Sequence, residues 1–445
     1  MGVQKGRIRQ GIGFLLVAAI LGLSWTAGIQ TLLGMPERER LVVGERLAES
    51  RLLPQYLARN IQVVVDRQHL LRQDGAPLNG RSYNLAEARP VLAGAGHLKL
   101  QYLLFGLIPV KKIDVDVVPQ VKVIPGGHSI GVMLQSQGVI VVGQSPVIDD
   151  KGKKVYPAKE AGIRLGDLIL KVNGREVQTD SEVAQAVHLA GSKGQEVQLT
   201  VKRGNLVEDK TIIPVFCQET KRYRIGLYVR DSAAGVGTLT FIDSKTGKYG
   251  ALGHVINDAD TNQRIEIADG KIVASSVQSV QQGRKGQPGE KIGSFLQNSP
   301  FTGTIEKNSR FGIFGKMEGD VSNPLYSQPI PVATESQVKV GPAKILTVVA
   351  GEKIDAYEIV IERVLPGRMD SKGMVIKVTD PRLLSATGGI VQGMSGSPII
   401  QDNKLVGAVT HVFVQDPTRG YGVFIEHMLR ESEILGTSQT KEDAA

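Results

Sequence analysis

Six consecutive residues, Gly393-Met394-Ser395-Gly396-Ser397-Pro398, constrain this chain more than any other stretch of it. Glycines stand on both sides of the serine, so the backbone there can turn tightly and bring N–H groups towards one point. A serine hydroxyl is a poor nucleophile at neutral pH. It needs a neighbouring base, and it needs donors aimed at the oxyanion it creates. The loop meets the second need by itself, because the N–H groups of Gly393 and Ser395 would form an oxyanion hole. The next dozen residues give the scaffold. Pro398-Ile399-Ile400 reads as a strand, Gln401-Asp402-Asn403-Lys404 as a turn, and Leu405-Val406-Gly407-Ala408-Val409 as a second strand.

The base must come from one of seven histidines. His254 lies in Tyr249-Gly250-Ala251-Leu252-Gly253-His254-Val255-Ile256, with small residues before it and apolar ones after it. That pattern suits a strand end presenting one imidazole into a crowded site. His411, in Val409-Thr410-His411-Val412, is the rival, on the second strand of the hairpin. A third group must orient the imidazole and stabilise its cation. Asp380, Asp258, Asp260 and Asp243 are all candidates, and spacing alone does not separate them. Asp380 is followed by Pro381, an ordinary way to start a turn.

The G-x-S-G-x-P loop resembles that of chymotrypsin-like serine peptidases, in which the strand carrying His411 would bind substrate; His254 is therefore the favoured base. A longer resemblance covers residues from about 100 to about 430 and points to the stage IV sporulation B (SpoIVB) peptidases of endospore-forming bacteria. It rests on Phe105-Gly106-Leu107-Ile108-Pro109-Val110-Lys111, on Val123-Ile124-Pro125-Gly126-Gly127-His128-Ser129-Ile130-Gly131-Val132, and on the run from Ile225 through Asp231-Ser232 to Thr240. The strings around His254 and Ser395 complete it. By that resemblance the base falls on His254, the nucleophile on Ser395 and the acid on Asp380. It implies a signalling serine endopeptidase of the space between forespore and mother-cell membranes. Such an enzyme cuts its own N-terminal side and an extracytoplasmic part of a regulatory membrane protein. Intramembrane proteolysis and activation of a sporulation sigma factor would result.

At 445 residues about three domains are expected, and 52 glycines with 5% aromatic residues suit a β-rich chain full of turns. The expected fold class is mainly β: a transmembrane helix, a PDZ domain and a double β-barrel peptidase domain. Lys5, Arg7 and Arg9 precede a mostly apolar run at 11–33, long enough to span a bilayer. Their charge would keep the N-terminus cytoplasmic and leave the bulk outside. Residues 1–36 are thus expected as tip and anchor, and 37–120 as a stalk or regulatory region whose first part, 37–60, is helical in pattern. Residues 121–215 resemble a PDZ domain, with Ser129, Ile130, Gly131 and Val132 as its carboxylate-binding loop. Thr179-Asp180-Ser181-Glu182 is a capping box opening its second helix. The peptidase domain is expected at 222–436, and a disordered tail at 437–445.

No HExxH or paired-cysteine pattern calls for a metal, and no cofactor is implied. The net charge of +9 reads as a solvated surface, because no basic stripe is interleaved with aromatics and nucleic acid is therefore not an expected partner. Cys217 is the only cysteine, so no intrachain disulfide is possible, and a buried apolar role is its default. Two other readings compete: a membrane-anchored PDZ scaffold that no longer cuts, and a quality-control protease. In the latter type the PDZ domain comes after the protease domain, whereas here it precedes it.

Overall fold

The computed structural model describes residues 27–35, 37–47, 53–319 and 321–435. The expected anchor lies for its greater part outside the described residues, and so does the expected tail. No helix among the described residues is long and apolar enough to cross a membrane. The chain divides into two compact units, one of residues up to 121 with 334–337, the other of 122–333 and 338 onward.

The first unit is a folded β-domain, where a stalk or a small regulatory β-rich region was expected. Its elements are α1 (Ala27–Leu33), β1 (Arg38–Val42), α2 (Gln55–Ala58), β2 (Ile61–Val65), β3 (Ser82–Asn84), β4 (Gly96–Leu104) and β5 (Ile108–Val118). The sheet order is β1-β5-β4-β2-β3, with β1 parallel to β5. Strict alternation along β4 puts Leu98, Leu100, Tyr102 and Leu104 on one face, and that face is the core. The helical pattern expected over 37–60 gives way to β1 because Arg38 to Val42 complete the backbone pairing of β5 and bury Leu41 and Val42. The last turns of the apolar run also belong here. Ile29 and Leu32 of α1 are buried in this core.

The second unit begins with β6 (Lys122–Pro125) and β7 (Ser129–Gln144). It continues through β8 (Leu168–Val172), α3 (Asp180–Ser192), β9 (Val197–Arg203), β10 (Leu206–Ile212), β11 (Val215–Cys217) and β12 (Arg222–Arg224). Next come β13 (Leu227–Ile242), β14 (Lys248–Ala251), β15 (Ile267–Gln281), β16 (Glu290–Phe295), β17 (Phe301–Thr304) and β18 (Gly312–Gly319). The first half of β7 pairs with β15 on one edge, Ile130 opposite Ala274, and with β13 on the other, Ile130 opposite Gly237. The ring β7-β15-β17-β18-β14-β13 thereby closes into a first barrel. Past an irregularity at Gln135 the same strand leaves the barrel. Val139 and Ile140 then pair with Ile169 and Leu168 of β8, and the sheet carries on through β9 and β10. Gly138 permits the crossing, since a Cβ there would lie 2.5 Å from the Ile169 carbonyl oxygen.

The PDZ element is therefore inserted into the peptidase fold and does not simply precede it. Its core, including Val139, Val141, Ile169, Val183, Val187 and Leu199, is its own. The expected motifs around it are present. Asn173 and Gly174 form a turn with φ of 51° and 76°, and Thr179 and Glu182 cap α3 reciprocally. Strand β13 runs unbroken through Tyr228 and Ser232.

A second barrel closes in the order β19 (Gly341–Val348), β20 (Ile354–Val364), β21 (Met374–Val378), β24 (Asp416–Phe424), β23 (Lys404–Phe413) and β22 (Pro398–Gln401). Helix α4 (Pro381–Thr387) leads into the serine loop, and α5 (Ile425–Glu431) comes after the last strand. The hairpin expected after the loop is β22–β23.

Candidate active site

The serine loop, residues 391–397, is held from three sides. On its own side, Met394 N–H donates to the Val391 carbonyl and Ser397 N–H to the Met394 carbonyl. Gly396 N–H donates to Val409 on β23 at 2.8 Å. From β16, the Lys291 N–H donates to the Gln392 carbonyl at 2.9 Å. From the first barrel, Thr238 donates twice, by N–H to the Ser395 carbonyl at 3.0 Å and by Oγ1 to the Gly393 carbonyl at 2.7 Å. Thr240 Oγ1 donates to the Gly396 carbonyl at 2.8 Å. Every N–H from Gln392 to Ser397 thus has an acceptor except two. Among the described residues, those of Gly393 and Ser395 make no hydrogen bond, which is the condition an oxyanion hole requires. The loop needs its glycines. Gly393 and Gly396 have φ of 90° and 93°, and a Cβ on Gly396 would lie 2.1 Å from the Thr238 carbonyl oxygen.

His254 comes directly after a strained turn. Leu252 and Gly253 both take positive φ, 68° and 71°, at the end of β14. A left-handed leucine is uncommon and is held here by surrounding structure. The imidazole Nδ1 lies 2.8 Å from the Val255 carbonyl oxygen. A carbonyl oxygen only accepts, so Nδ1 carries the proton and Nε2 keeps its lone pair. Burial pushes the His254 pKa below the usual histidine range, which holds the ring neutral. Ser395 Oγ donates to the Thr410 carbonyl at 2.9 Å. His254, Ser395, Gly393, Gln392 and Thr410 line one cleft of about 780 Å³. His411 lines it too, with its ring centroid 5.1 Å from that of His254. Burial, then the neighbouring His254 and Lys372, push the His411 pKa down to about 4.

None of the four acids reaches His254 by a hydrogen bond among the described residues. Asp380 is a correction. It is the N-cap of α4, it accepts from Arg382 N–H at 2.9 Å and from Glu358 N–H at 3.2 Å, and it pairs with the Arg382 guanidinium at 2.8 Å. Those bonds to Arg382 hold its pKa down at about 2. The Asp-Pro signal was a helix start, and the capping role won. Asp258 lines the cleft but binds Arg230 at 2.8 Å and Thr261, while Asp260 binds the other nitrogen of Arg230. Asp243 closes a turn through Thr246. The Val255 carbonyl does the orienting that a carboxylate was expected to do.

Three contributors were missed in the sequence. Thr238 and Thr240 alternate with Leu239, so both face the loop from one side of β13; the period-2 pattern was the signal. Lys291 is buried at 5% exposure, and its stem packs on Gly393, where a Cβ would lie 3.1 Å from Lys291 Cβ. Its ammonium donates to Thr347 Oγ1 at 2.8 Å, and burial brings its pKa down to about 7. No pattern in the sequence singles it out.

The PDZ loop assignment is the second correction. Ser129, Ile130, Gly131 and Val132 are buried strand residues of the first barrel, all paired with β13 and, from Ile130 on, with β15 as well. A Cβ on Gly131 would fall 2.3 Å from the Phe295 ring. They have no free N–H row to offer a carboxylate. The PDZ edge beyond them is also taken. Residues 227–230 of β13 pair with residues 140–144 of β7, and Tyr223 of β12 packs on α3 where Gly191 leaves room for its ring. Tyr223 N–H donates to His188 Nδ1 at 3.3 Å. The strand that a peptide would add is supplied by this chain itself.

Comparison with known proteins agrees with this geometry. The profile described as SpoIVB peptidase S55 matches residues 221–429, and a PDZ profile matches 129–213. A protein named a putative zinc metalloprotease, from Clostridium perfringens, is 39% identical over 16% of this chain and 20% of its own length. A probable periplasmic serine endoprotease, DegP-like, from Brucella suis, is 28% identical over 33% of this chain and 30% of its own. The chain thus spans under a third of these curated relatives. The active form of a protease from M. tuberculosis superposes with a TM-score of 0.28 at 15% identity, over 45% of this chain and 74% of that one. By family match and by the layout of its cleft, the second unit carries a serine-peptidase domain with a built-in PDZ element. That domain, residues 221–429, matches the SpoIVB peptidase S55 family.

Proposed function

We propose that the chain cuts peptide bonds with Ser395 as nucleophile and His254 as base, the imidazole being set by a backbone carbonyl instead of a carboxylate. The observation that carries this reading is the meeting, in one cleft, of Ser395, a neutral His254 with Nε2 unprotonated, and two N–H groups left without acceptors. Ser395 Oγ would swing from the Thr410 carbonyl towards His254 Nε2. The hydroxyl proton passes to Nε2 as Oγ bonds the substrate carbonyl carbon. The N–H groups of Gly393 and Ser395 hold the oxyanion, and Nε2 then protonates the leaving amine. Water, deprotonated by the same nitrogen, releases the acyl group. With its pKa lowered by burial, His254 stays a competent base below the ordinary histidine range.

Family membership supports the further reading of a membrane-tethered, extracytoplasmic signalling peptidase of sporulation. Its substrates would be an exposed part of a regulatory membrane protein and its own N-terminal side. The test tracks the intact mass of the full chain over time, beside its Ser395→Ala twin. Defined fragments from the first alone support self-cleavage and reveal the cleaved bonds. Identical patterns from both remove the catalytic reading of Ser395.

A further inference from the structure

The hairpin tip between β4 and β5, Phe105-Gly106-Leu107-Ile108, is prominent in the sequence yet has no part in the catalytic cleft. In the first unit it is the most apolar exposed place. Phe105 is 58% exposed, Leu107 84% and Ile108 47%, and Tyr56 on α2 is 59% exposed. Tyr56 belongs to the same end of the domain, because Phe105 N–H donates to the carbonyl of Asn60, whose side chain in turn bonds the Tyr56 carbonyl. Single exposed apolar side chains are ordinary, but several large ones at one tip call for a covering partner. We infer that this tip seats in the surface of a lipid bilayer.

Three observations favour lipid over a protein surface. The first is where the chain comes from. Residues 11–26 are apolar and uncharged, and they end where α1 begins. Helix α1 packs at this same end of the domain. Gly28 lies against Leu57 and Pro54, where a Cβ would come within 2.8 Å of Leu57, and Lys111 Nζ donates to the Leu33 carbonyl at 3.1 Å. The second is charge. Lys111 and Lys112 follow the tip along the chain, Arg59 adjoins Asn60, whose carbonyl accepts from Phe105, and the first carboxylate after the tip, Asp114, stands further down β5, where its N–H donates to the Glu37 carbonyl. Basic side chains around an apolar tip match anionic headgroups. The third is backbone satisfaction. The N–H groups of Phe105 and Leu107 are both bonded within the domain, at 2.7 and 3.2 Å, so lipid would cover side chains without stranding those donors. The inference rests on the membrane-tethered reading and adds a second contact to it. A single apolar segment close to the surface would then be joined by a rigid wedge that fixes how the first domain stands on the membrane.

The test uses the full chain carrying Cys217→Ser, with Leu107→Cys labelled by an environment-sensitive dye. A parallel preparation carries His97→Cys instead, on β4 and about 26 Å from the tip. Both are placed in vesicles of phosphatidylcholine with phosphatidylglycerol, some containing spin-labelled lipid as quencher. The expected result is a blue-shifted label at 107 quenched several-fold more strongly than the label at 97. Adding Phe105→Asp and Ile108→Asp should abolish that excess. Equal, weak quenching at both positions in chains that float with the vesicles would overturn the inference and leave the tether standing. Chains that do not float would overturn both. A label at 107 that shifts with protein concentration and ignores the lipid quencher would show that a second copy covers the tip, and would overturn the inference as well.

Discussion

Two short, glycine-bearing strings look alike on paper and end differently. Residues 393–396 keep the role their sequence suggests, whereas residues 129–132 lose theirs. The serine loop closes on itself within a few residues, Ser397 to Met394 and Met394 to Val391, and its outside supports only tighten it. The Ser-Ile-Gly-Val string has no such internal bonds. Its conformation is decided by Gly237 and Ala274, more than a hundred residues away, which pair with Ile130 from either side. A motif that carries its own hydrogen bonds is readable locally. One that awaits partners takes whatever role the partners assign.

The largest effect that sharpens this contrast is chemical. Ser395→Ala should lower kcat/KM by about 10⁴- to 10⁶-fold with an unchanged melting temperature, His254→Ala by a similar factor, and the double variant by no more than the worse single one. Additive losses would show that the two side chains do not act as a unit. Next in size is structural. Gly131→Val drives a side chain into Phe295 in the interior of the barrel. It should destabilise the second unit by about 3 kcal/mol or more, read as a lower urea midpoint together with lost activity. A stable variant that fails only in partner recognition would return residues 129–132 to a binding loop.

Smaller is the effect of Thr238→Val, which removes the Oγ1 bond to the Gly393 carbonyl and keeps the barrel wall. A fall of about tenfold to a hundredfold in kcat, with KM little altered, is expected because the oxyanion donors lose their bracing. A shift in melting temperature alone would make the bond merely structural.

The last two effects concern charge. Lys291 has an ordinary pKa of 10.5 and a folded value of about 7. Below pH 7 both folded and unfolded chains hold its proton, and the native state bears the full cost of burying it. Between pH 7 and 10.5 only the unfolded chain still holds the proton, so the penalty shrinks as pH rises and is gone above 10.5.

 The net slope is therefore positive: native stability rises with pH from about 7 to 10.5, and is flat below and above that window. Lys291→Met should stabilise most at pH 6 and progressively less above pH 7, as urea midpoints would show. A constant gain at pH 6 and pH 9 would mean that the ammonium is not buried. Asp380→Ala should cost about 1 kcal/mol of stability through the lost cap and leave turnover near normal. Severe loss of turnover in the folded variant would restore Asp380 to the catalytic group.

How much was legible obeys the same division. The β22–β23 hairpin and the Thr179–Glu182 cap each depend on neighbours a few residues apart, and each stands where the sequence put it. Asp380 misled because two local roles share one signal, and the capping role is the one whose donors lie two residues away. In the first unit, strand β1 was hidden under a helical pattern because it acquires its conformation from β5, some 76 residues later. Lys291 was hidden because its burial is decided by partners far along the chain, Thr347 of β19 and Gly393 of the serine loop.

The insertion of the PDZ element also sets a timetable. Ile130 leaves the ribosome 144 residues before Ala274, one of its two partners. At ordinary rates of synthesis that is a wait on the order of ten seconds. Meanwhile the far half of the same strand can already fold with β8, β9 and α3, which all emerge in between. The newborn chain thus hides part of a naked strand inside a finished small domain, and the remaining part stays sticky until the last strand of the ring arrives. A chaperone that holds nascent β-strands would find its longest task here, and a translational pause placed just after residue 213 would give the inserted domain time to close first.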